Sequence, residues 1–263
     1  MKPVPVWPDS AYSVFVRAET DGMVGHTHLA LLSPPDAPAC RGYVKHFVNH
    51  GTERCLFNEW FCHHLLQALG VAQPHCALMR APIMGTGPLA WAFVSCEPSP
   101  VNHGTPKQIY SMVDAAQLKE LATRLLQADM LPRLIAADQL IANPDRNLGN
   151  LVFTGKRTFV AIDHSNALHG PAWKWGDLWW TQKPVRSVLT EFVRNVAGPI
   201  PVAVANALVA AADVVQEAYY AHQVELRSIM DASNSADTAA VMDMTWWRCD
   251  ALGRWFRIEH QVI

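Results

Sequence analysis

Along the chain, the spacing of apolar positions changes character about two fifths of the way from the N-terminus. The first part alternates short β-branched and aromatic runs with turns. SVFVRAET (13–20) and HTHLALLS (26–33) flank Asp21-Gly22-Met23-Val24-Gly25, the pattern of a β-hairpin with a glycine-bearing tip. RGYVKHFV (41–48), HCALMRAPI (75–83) and LAWAFVSCE (89–97) read as further strands. Between them, a helix is predicted from Thr52, a candidate N-cap, to Leu69, with Gly70 as its stop. Its Leu56, Trp60, Leu65 and Leu69 fall near one face. Residues 98–107 (PSPVNHGTPK) have the composition of a hinge.

After residue 107 the period is mostly helical. Leu118, Leu121 and Leu125 mark a helix over 114–130, and Pro132 opens a second over 132–142. NPDRNLGN interrupts that pattern, and LVFTG with TFVAID predicts a short hairpin. Two long helices are predicted over about 202–230 and 237–260. In the last, Met244, Trp247, Ala251, Trp255, Ile258 and Val262 form a stripe expected to pack in the core. The result is an α+β chain. A β-rich N-terminal lobe with one helix spans 1–105, a helical lobe spans 106–263, and a ligand site is expected between them.

Composition narrows the function. Charged residues are 17% of the 263, and the 21 Lys+Arg against 23 Asp+Glu give a net charge of -2. No basic run supplies phosphate neutralisation, so direct nucleic-acid binding is not expected. Hydrophobic residues reach 50%, which excludes a disordered chain. The run from Ala197 to Ala212 is short for a membrane span and broken by Pro199, Pro201 and Asn206; a buried helix is expected there. The start MKPVPVWPDS lacks an apolar signal core, and the six cysteines form no CxxC or zinc spacing. They are expected to be reduced core thiols, and the protein cytoplasmic.

The chemistry concentrates in Asn143-Pro144-Asp145-Arg146-Asn147-Leu148-Gly149-Asn150 and the following LVFTGKRTFVAIDHS. A hairpin returns to where it began, so Asn150 at its entry and Asp163 at its exit should be neighbours, with Asp145 close by. Two carboxylates and an amide oxygen are hard ligands suited to Mg²⁺. A loop Asp, an Asn five residues on and a strand-end Asp is also the layout of phosphoryl transfer in kinases.

The string DRNLGN…AIDHS resembles the catalytic and metal-binding motifs of HipA-like kinases, and is similar to those of phosphatidylinositol 3-/4-kinases. NEWFCHHLLQALGVAQP (58–74) and ADQLIANPDR are also similar to the HipA-like pattern. The resemblance covers about Arg41 to Leu168, half the chain. It implies a two-lobed protein kinase-like fold binding ATP and Mg²⁺. Asp145 would be the catalytic base, and Asn150 and Asp163 the metal ligands. The acceptor it implies is a protein Ser/Thr, and a DNA-binding antitoxin-like partner is a further implication. It also suggests autophosphorylation of the glycine-bearing hairpin, where Thr20 and Thr27 carry the hydroxyls. The sequence departs from the protein-kinase pattern at His164-Ser165, where Phe-Gly is usual.

The kinase pattern also asks for a strand Lys paired with a helix Glu. Lys45 is the only formal charge between Arg41 and Glu53, and Glu59 the only one between Arg54 and Arg80. A lone carboxylate in an apolar helix needs a partner. Lys45 with Glu59 is the expected pair and Glu53 the alternative. Gly22 and Gly25 are either phosphate-covering backbone or an ordinary turn. Glu97 lies at the lobe junction, where the adenine would meet backbone. Asp138 is expected to be a structural hydrogen-bonder, His164 and His169 structural rather than metal ligands. Arg146 either touches a phosphate or braces its loop. The Trp-rich segment 173–180 is either core or a substrate-facing surface. The competing readings are a nucleotide-binding pseudokinase acting through partners, a small-molecule or lipid kinase, and a metal-dependent phosphohydrolase.

Overall fold

The computed structural model describes residues 3–19, 25–98, 114–180, 183–231 and 237–260. The hairpin tip with Gly22, Thr20 and nearly all of the predicted hinge lie outside the described residues. The N-terminal part is an antiparallel five-stranded sheet. Its strands are β1 (Tyr12–Glu19), β2 (His26–Leu32), β3 (Cys40–His46), β4 (Cys76–Pro82) and β5 (Leu89–Cys96), in the order β1-β2-β3-β5-β4. β2 and β3 run in unbroken register, with Thr27 opposite Lys45, and Lys45 is also opposite Phe93 of β5. Buried Ala30, Leu32, Val44, Ala77, Met79 and Val94 form one apolar face, covered by Trp7 and Ala11.

Helix α1 (Cys55–Ala68) follows β3. It is buried around most of its circumference, at Cys55, Asn58, Glu59, Phe61, Cys62, His63, His64, Leu65 and Leu66. Its start differs from the expected capped one. Thr52 hydrogen-bonds the Asn49 carbonyl (2.7 Å) within a preceding turn, and the residue before the helix is Arg54, whose side chain does not cap it. Its end follows the sequence: Gly70 has φ +70°, and the Val71 N–H reaches back to the Leu66 carbonyl at 2.9 Å.

The C-terminal part contains α2 (Ala115–Leu126), α3 (Leu131–Leu140), the hairpin β6 (Leu151–Phe153) and β7 (Phe159–Ala161), α4 (Val188–Ala197), α5 (Val202–Asp231) and α6 (Asp237–His260). Asp114 and Gln117 close a capping box on α2. Helix α4 is not among the predicted elements, although Ser187 caps it and Gly198 ends it. Phe61, Leu65 and Leu66 of α1, with Leu69 just after it, share one core with α3, α5, α6 and the hairpin. The helix from the N-terminal part is therefore packed into the C-terminal core.

Two apolar stretches differ from their expected burial. α5 buries Ala205, Leu208, Val209, Ala212 and Val215, but leaves Ala203, Asn206, Ala207 and Ala210 exposed. Among the described residues it is the one helix long and apolar enough to cross a membrane. On α6, Met244 and Ala251 are buried, but Trp247 is 48% and Ile258 70% exposed; Val262 lies outside the described residues. The buried stripe is Val241, Thr245, Arg248, Cys249, Leu252 and Phe256. Thr245 is turned inward by Tyr219 of α5 (3.0 Å), and Arg248 donates to the Gln139 and Lys183 carbonyls (2.7 and 3.0 Å). The six cysteines are free thiols, five of them buried, and Cys40 touches Cys96 across β3 and β5.

Burial holds the imidazoles of His28, His63 and His64 down to about 4. His28 is fully buried and stacks on His46. Because these folded-state values lie below the ordinary 6.5, the stability they contribute is present above pH 6.5 and lost as pH falls towards 4. Denaturant unfolding should show a steep loss of stability on acidification, with about 2 kcal/mol of it between pH 7 and 5 due to His28. His28→Leu should flatten that dependence by about one proton. An unchanged slope in His28→Leu counts against this account.

Candidate active site

Three charged groups meet where β3, α1 and the end of β7 come together. Lys45 Nζ lies 2.7 Å from Glu59 Oε1 and 3.1 Å from Asp163 Oδ1. The Lys45 and Glu59 side chains are 14% and 1% exposed, while Asp163 is 42% exposed. Asp163 thus faces the opening and the other two stand behind it. Burial would lower the Lys45 ammonium, but Asp163 and Glu59 outweigh it and hold it above its ordinary value. Burial would likewise raise Asp163; Lys45 and the Ser165 hydroxyl hold it well below the usual carboxylate range. For Glu59 burial prevails, and its value rises despite Lys45 and the His164 N–H. Glu53, the alternative partner, is exposed and accepts instead from the Gly51 N–H (3.0 Å).

Two further groups reach this cluster through the hairpin. The Ile162 N–H donates to the Asn150 carbonyl at 3.0 Å, so the residues entering and leaving the hairpin are adjacent. Arg146, 1% exposed, clasps both ends. Its Nη1 donates to the carbonyls of Ile162 (2.6 Å), Asp163 (3.4 Å) and Asn150 (3.5 Å). Its Nε and Nη2 pair with buried Asp138 of α3 at 3.1–3.2 Å. Arg146 thus braces the loop, and Asp138 is its structural partner. Asn150 Nδ2 donates to the Asp145 carbonyl at 2.9 Å, which leaves the amide oxygen as the end a cation would use. The Asp145 carboxylate accepts from Asn147 (3.3 Å) and Asn166 (2.8 Å).

The backbone after Asp163 is irregular. Asp163, Leu168 and His169 all have positive φ, and Gly170 has φ +109°. Within the turn only the His164 and Ala167 carbonyls accept backbone N–H groups, from Ala167 (3.0 Å) and Gly170 (3.1 Å), and buried carbonyls need donors. Asn58 of α1 supplies one: its Nδ2 lies 2.8–2.9 Å from the carbonyls of Ser165, Ala167 and Gly170. Trp173, 3% exposed, donates to Asn58 Oδ1 (2.8 Å) and lies under the Arg54 guanidinium. At Trp173 the Trp-rich segment is therefore core; the side chains of Trp175, Trp179 and Trp180 lie outside the described residues. The His164 N–H donates to Glu59 Oε2 (3.0 Å). Its ring bridges Arg146 Nη2 (2.9 Å) and Gln73 (3.0 Å) and is kept neutral by burial and by Arg146. His164 is therefore structural, as expected. His169 is exposed at the turn.

The remaining sequence candidates lie elsewhere. A Cβ on Gly25 would sit 2.5 Å from the His46 carbonyl oxygen, so close approach of β2 and β3 accounts for that glycine. Glu97 pairs with Arg41 (3.1 Å) at the end of β5, away from the Lys45 cluster. Asn58, Gln73, Ser165 and Asn166 are the site residues to which the sequence reading gave no role. Asn58 opens the segment NEWFCHHLLQALGVAQP (58–74), whose resemblance to the HipA-like pattern is the one signal that pointed to it.

Lys45, Glu59, Asp163 and His164, with His63, Gln73 and Phe93, line a small recess. Among the described residues no group of three or more His, Cys, Asp or Glu forms a metal centre. Asn150 and Asp163 would give a cation two protein oxygens, which suits Mg²⁺, an ion usually held by one or two side chains plus water and phosphate.

The buried Arg146–Asp138 pair yields a stability prediction. Arg146→Met, which strands Asp138 and three carbonyls, should cost about 3–5 kcal/mol in urea unfolding. Arg146→Met with Asp138→Leu should cost less than the single change, and a strictly additive double variant counts against the pair. Compared with known proteins, the chain matches no protein-family model and no curated protein.

Proposed function

We propose that the protein is an ATP- and Mg²⁺-dependent phosphotransferase with a two-lobed, protein kinase-like organisation, of HipA-like type. The observation that carries this reading is the Lys45–Glu59–Asp163 cluster, built at the junction of the sheet and the helical part within one loop of Asp145 and Asn150. An ammonium has three N–H donors. Two of those on Lys45 are met by Glu59 and Asp163, and the third can take a phosphate oxygen. Asp163 and Asn150 supply the two oxygens for Mg²⁺, which would neutralise the phosphates during transfer. Asp145 accepts the proton of the acceptor hydroxyl.

A protein Ser/Thr acceptor, a cytoplasmic location and an antitoxin-like partner belong to the same proposal and rest on the motif resemblance. So does autophosphorylation near the β1–β2 hairpin, for which Thr27 in β2 is the described hydroxyl.

The test is incubation with γ-labelled ATP, Mg²⁺ and a protein extract, followed by identification of the labelled species. Wild type should transfer label, and Asp163→Ala should abolish transfer. Asp145→Asn should slow it by about 10²–10⁴-fold while leaving nucleotide binding intact. An Asp163→Ala protein that turns over ATP like wild type refutes the proposal.

A further inference from the structure

We infer that Asn166 is a positioning residue: it sets the orientation of the Asp145 carboxylate, with Ser165 doing the same for Asp163. The inference rests on the phosphotransferase reading above and assigns work to the segment where the chain departs from Phe-Gly. Each residue of His164-Ser165-Asn166 touches a different part of the site. The His164 N–H holds Glu59 Oε2 at 3.0 Å. Ser165 Oγ donates to Asp163 Oδ1 at 2.9 Å. Asn166 Nδ2 donates to Asp145 Oδ2 at 2.8 Å.

The geometry for this comes from the backbone. With φ +59° at Asp163, the chain turns out of the hairpin and passes back across the 145–150 loop. Asn58 then pins the turn from the α1 side through the carbonyls of Ser165, Ala167 and Gly170. Ser165 is 4% exposed, so its hydroxyl is held in place.

The Asp145 carboxylate has two oxygens to orient. Oδ1 has a longer contact with Asn147 (3.3 Å), a residue of its own loop. Oδ2 has the shorter contact with Asn166, twenty-one residues away on the segment that also carries Asp163. Asn166 therefore links the carboxylate of the base itself to the segment that carries Asp163. A carboxylate oxygen has two lone pairs, so one remains on Oδ2 for the hydroxyl proton. Without Asn166 the side chain keeps its charge and its loop, but loses the contact that registers it against Asp163. Misplacing a reacting group by about 1 Å can cost on the order of 100-fold.

The experiment measures label transfer from γ-labelled ATP into a degenerate Ser/Thr peptide library, and into the protein itself, at varied ATP. Asn166→Ala should lower the maximal rate by about 10- to 100-fold, with the apparent KM for ATP within about two-fold of wild type. Asn166→Asp, of equal size but with a carboxylate facing a carboxylate, should lower it further at unchanged KM. A merely structural role would lower nucleotide affinity and thermal stability together with rate, and that pattern in both variants overturns the inference. So does an Asn166→Ala protein with a wild-type rate. A wild-type protein that labels neither the library nor itself refutes the phosphotransferase reading, and this inference with it.

Discussion

The structure depends on a carboxylate that has no route to water. Glu59 sits on a helix buried on most sides, and an unpaired charge there would cost several kcal/mol. Its two oxygens are met from opposite directions, by Lys45 of β3 and by the His164 backbone N–H. Satisfying one side chain therefore fixes the sheet, the helix and the segment after β7 relative to one another. The group remains short of positive charge. Lys45 faces two carboxylates, so the cluster carries a net negative charge, increased further by Asp145 nearby. A divalent cation on Asp163 and Asn150, as in the proposed function, would correct that balance.

Behind the charged cluster lies a second layer with a different duty. The loop from Asn143 to Asn150 and the turn from Asp163 to Gly170 have little regular structure, so their carbonyls lack ladder partners. Arg146 and Asn58 supply the missing donors from a single side chain each. Both are buried, and both are themselves held, Arg146 by Asp138 and Asn58 by Trp173. A rigid irregular backbone is what allows Asp145 and Asp163 to be aimed without belonging to a helix or strand.

The sequence made the outline legible where the signal was local or charged. Period-two and period-3.6 runs located the strands and most helices. The hairpin argument placed Asn150 beside Asp163, and the isolation of Lys45 and Glu59 in apolar stretches exposed their pairing. What stayed hidden was neutral and long-range. Asn58, Gln73 and Asn166 are amides whose partners lie up to 115 residues away, and local periodicity announces none of them. The buried stripe on α6 was misplaced for a related reason. Thr245 and Arg248 point inward, so reading only apolar residues selects the adjacent stripe, with Trp247 and Ile258 on the surface.

Arg248 also shows what scarcity of charge can and cannot indicate. It is as fully buried as Glu59, in a chain with only 17% charged residues, so burial of a scarce charge alone would nominate it as functional. Its contacts include the Gln139 and Lys183 carbonyls and the face of Trp255, the surroundings of a cation that ties the fold together. Lys45 meets two carboxylates, one of them open to the cleft. In a charge-poor protein, isolation identifies the residues that must be buried with partners. Convergence of unlike charges at an opening is what nominates Lys45 and Asp163, rather than Arg248, for the chemistry proposed above.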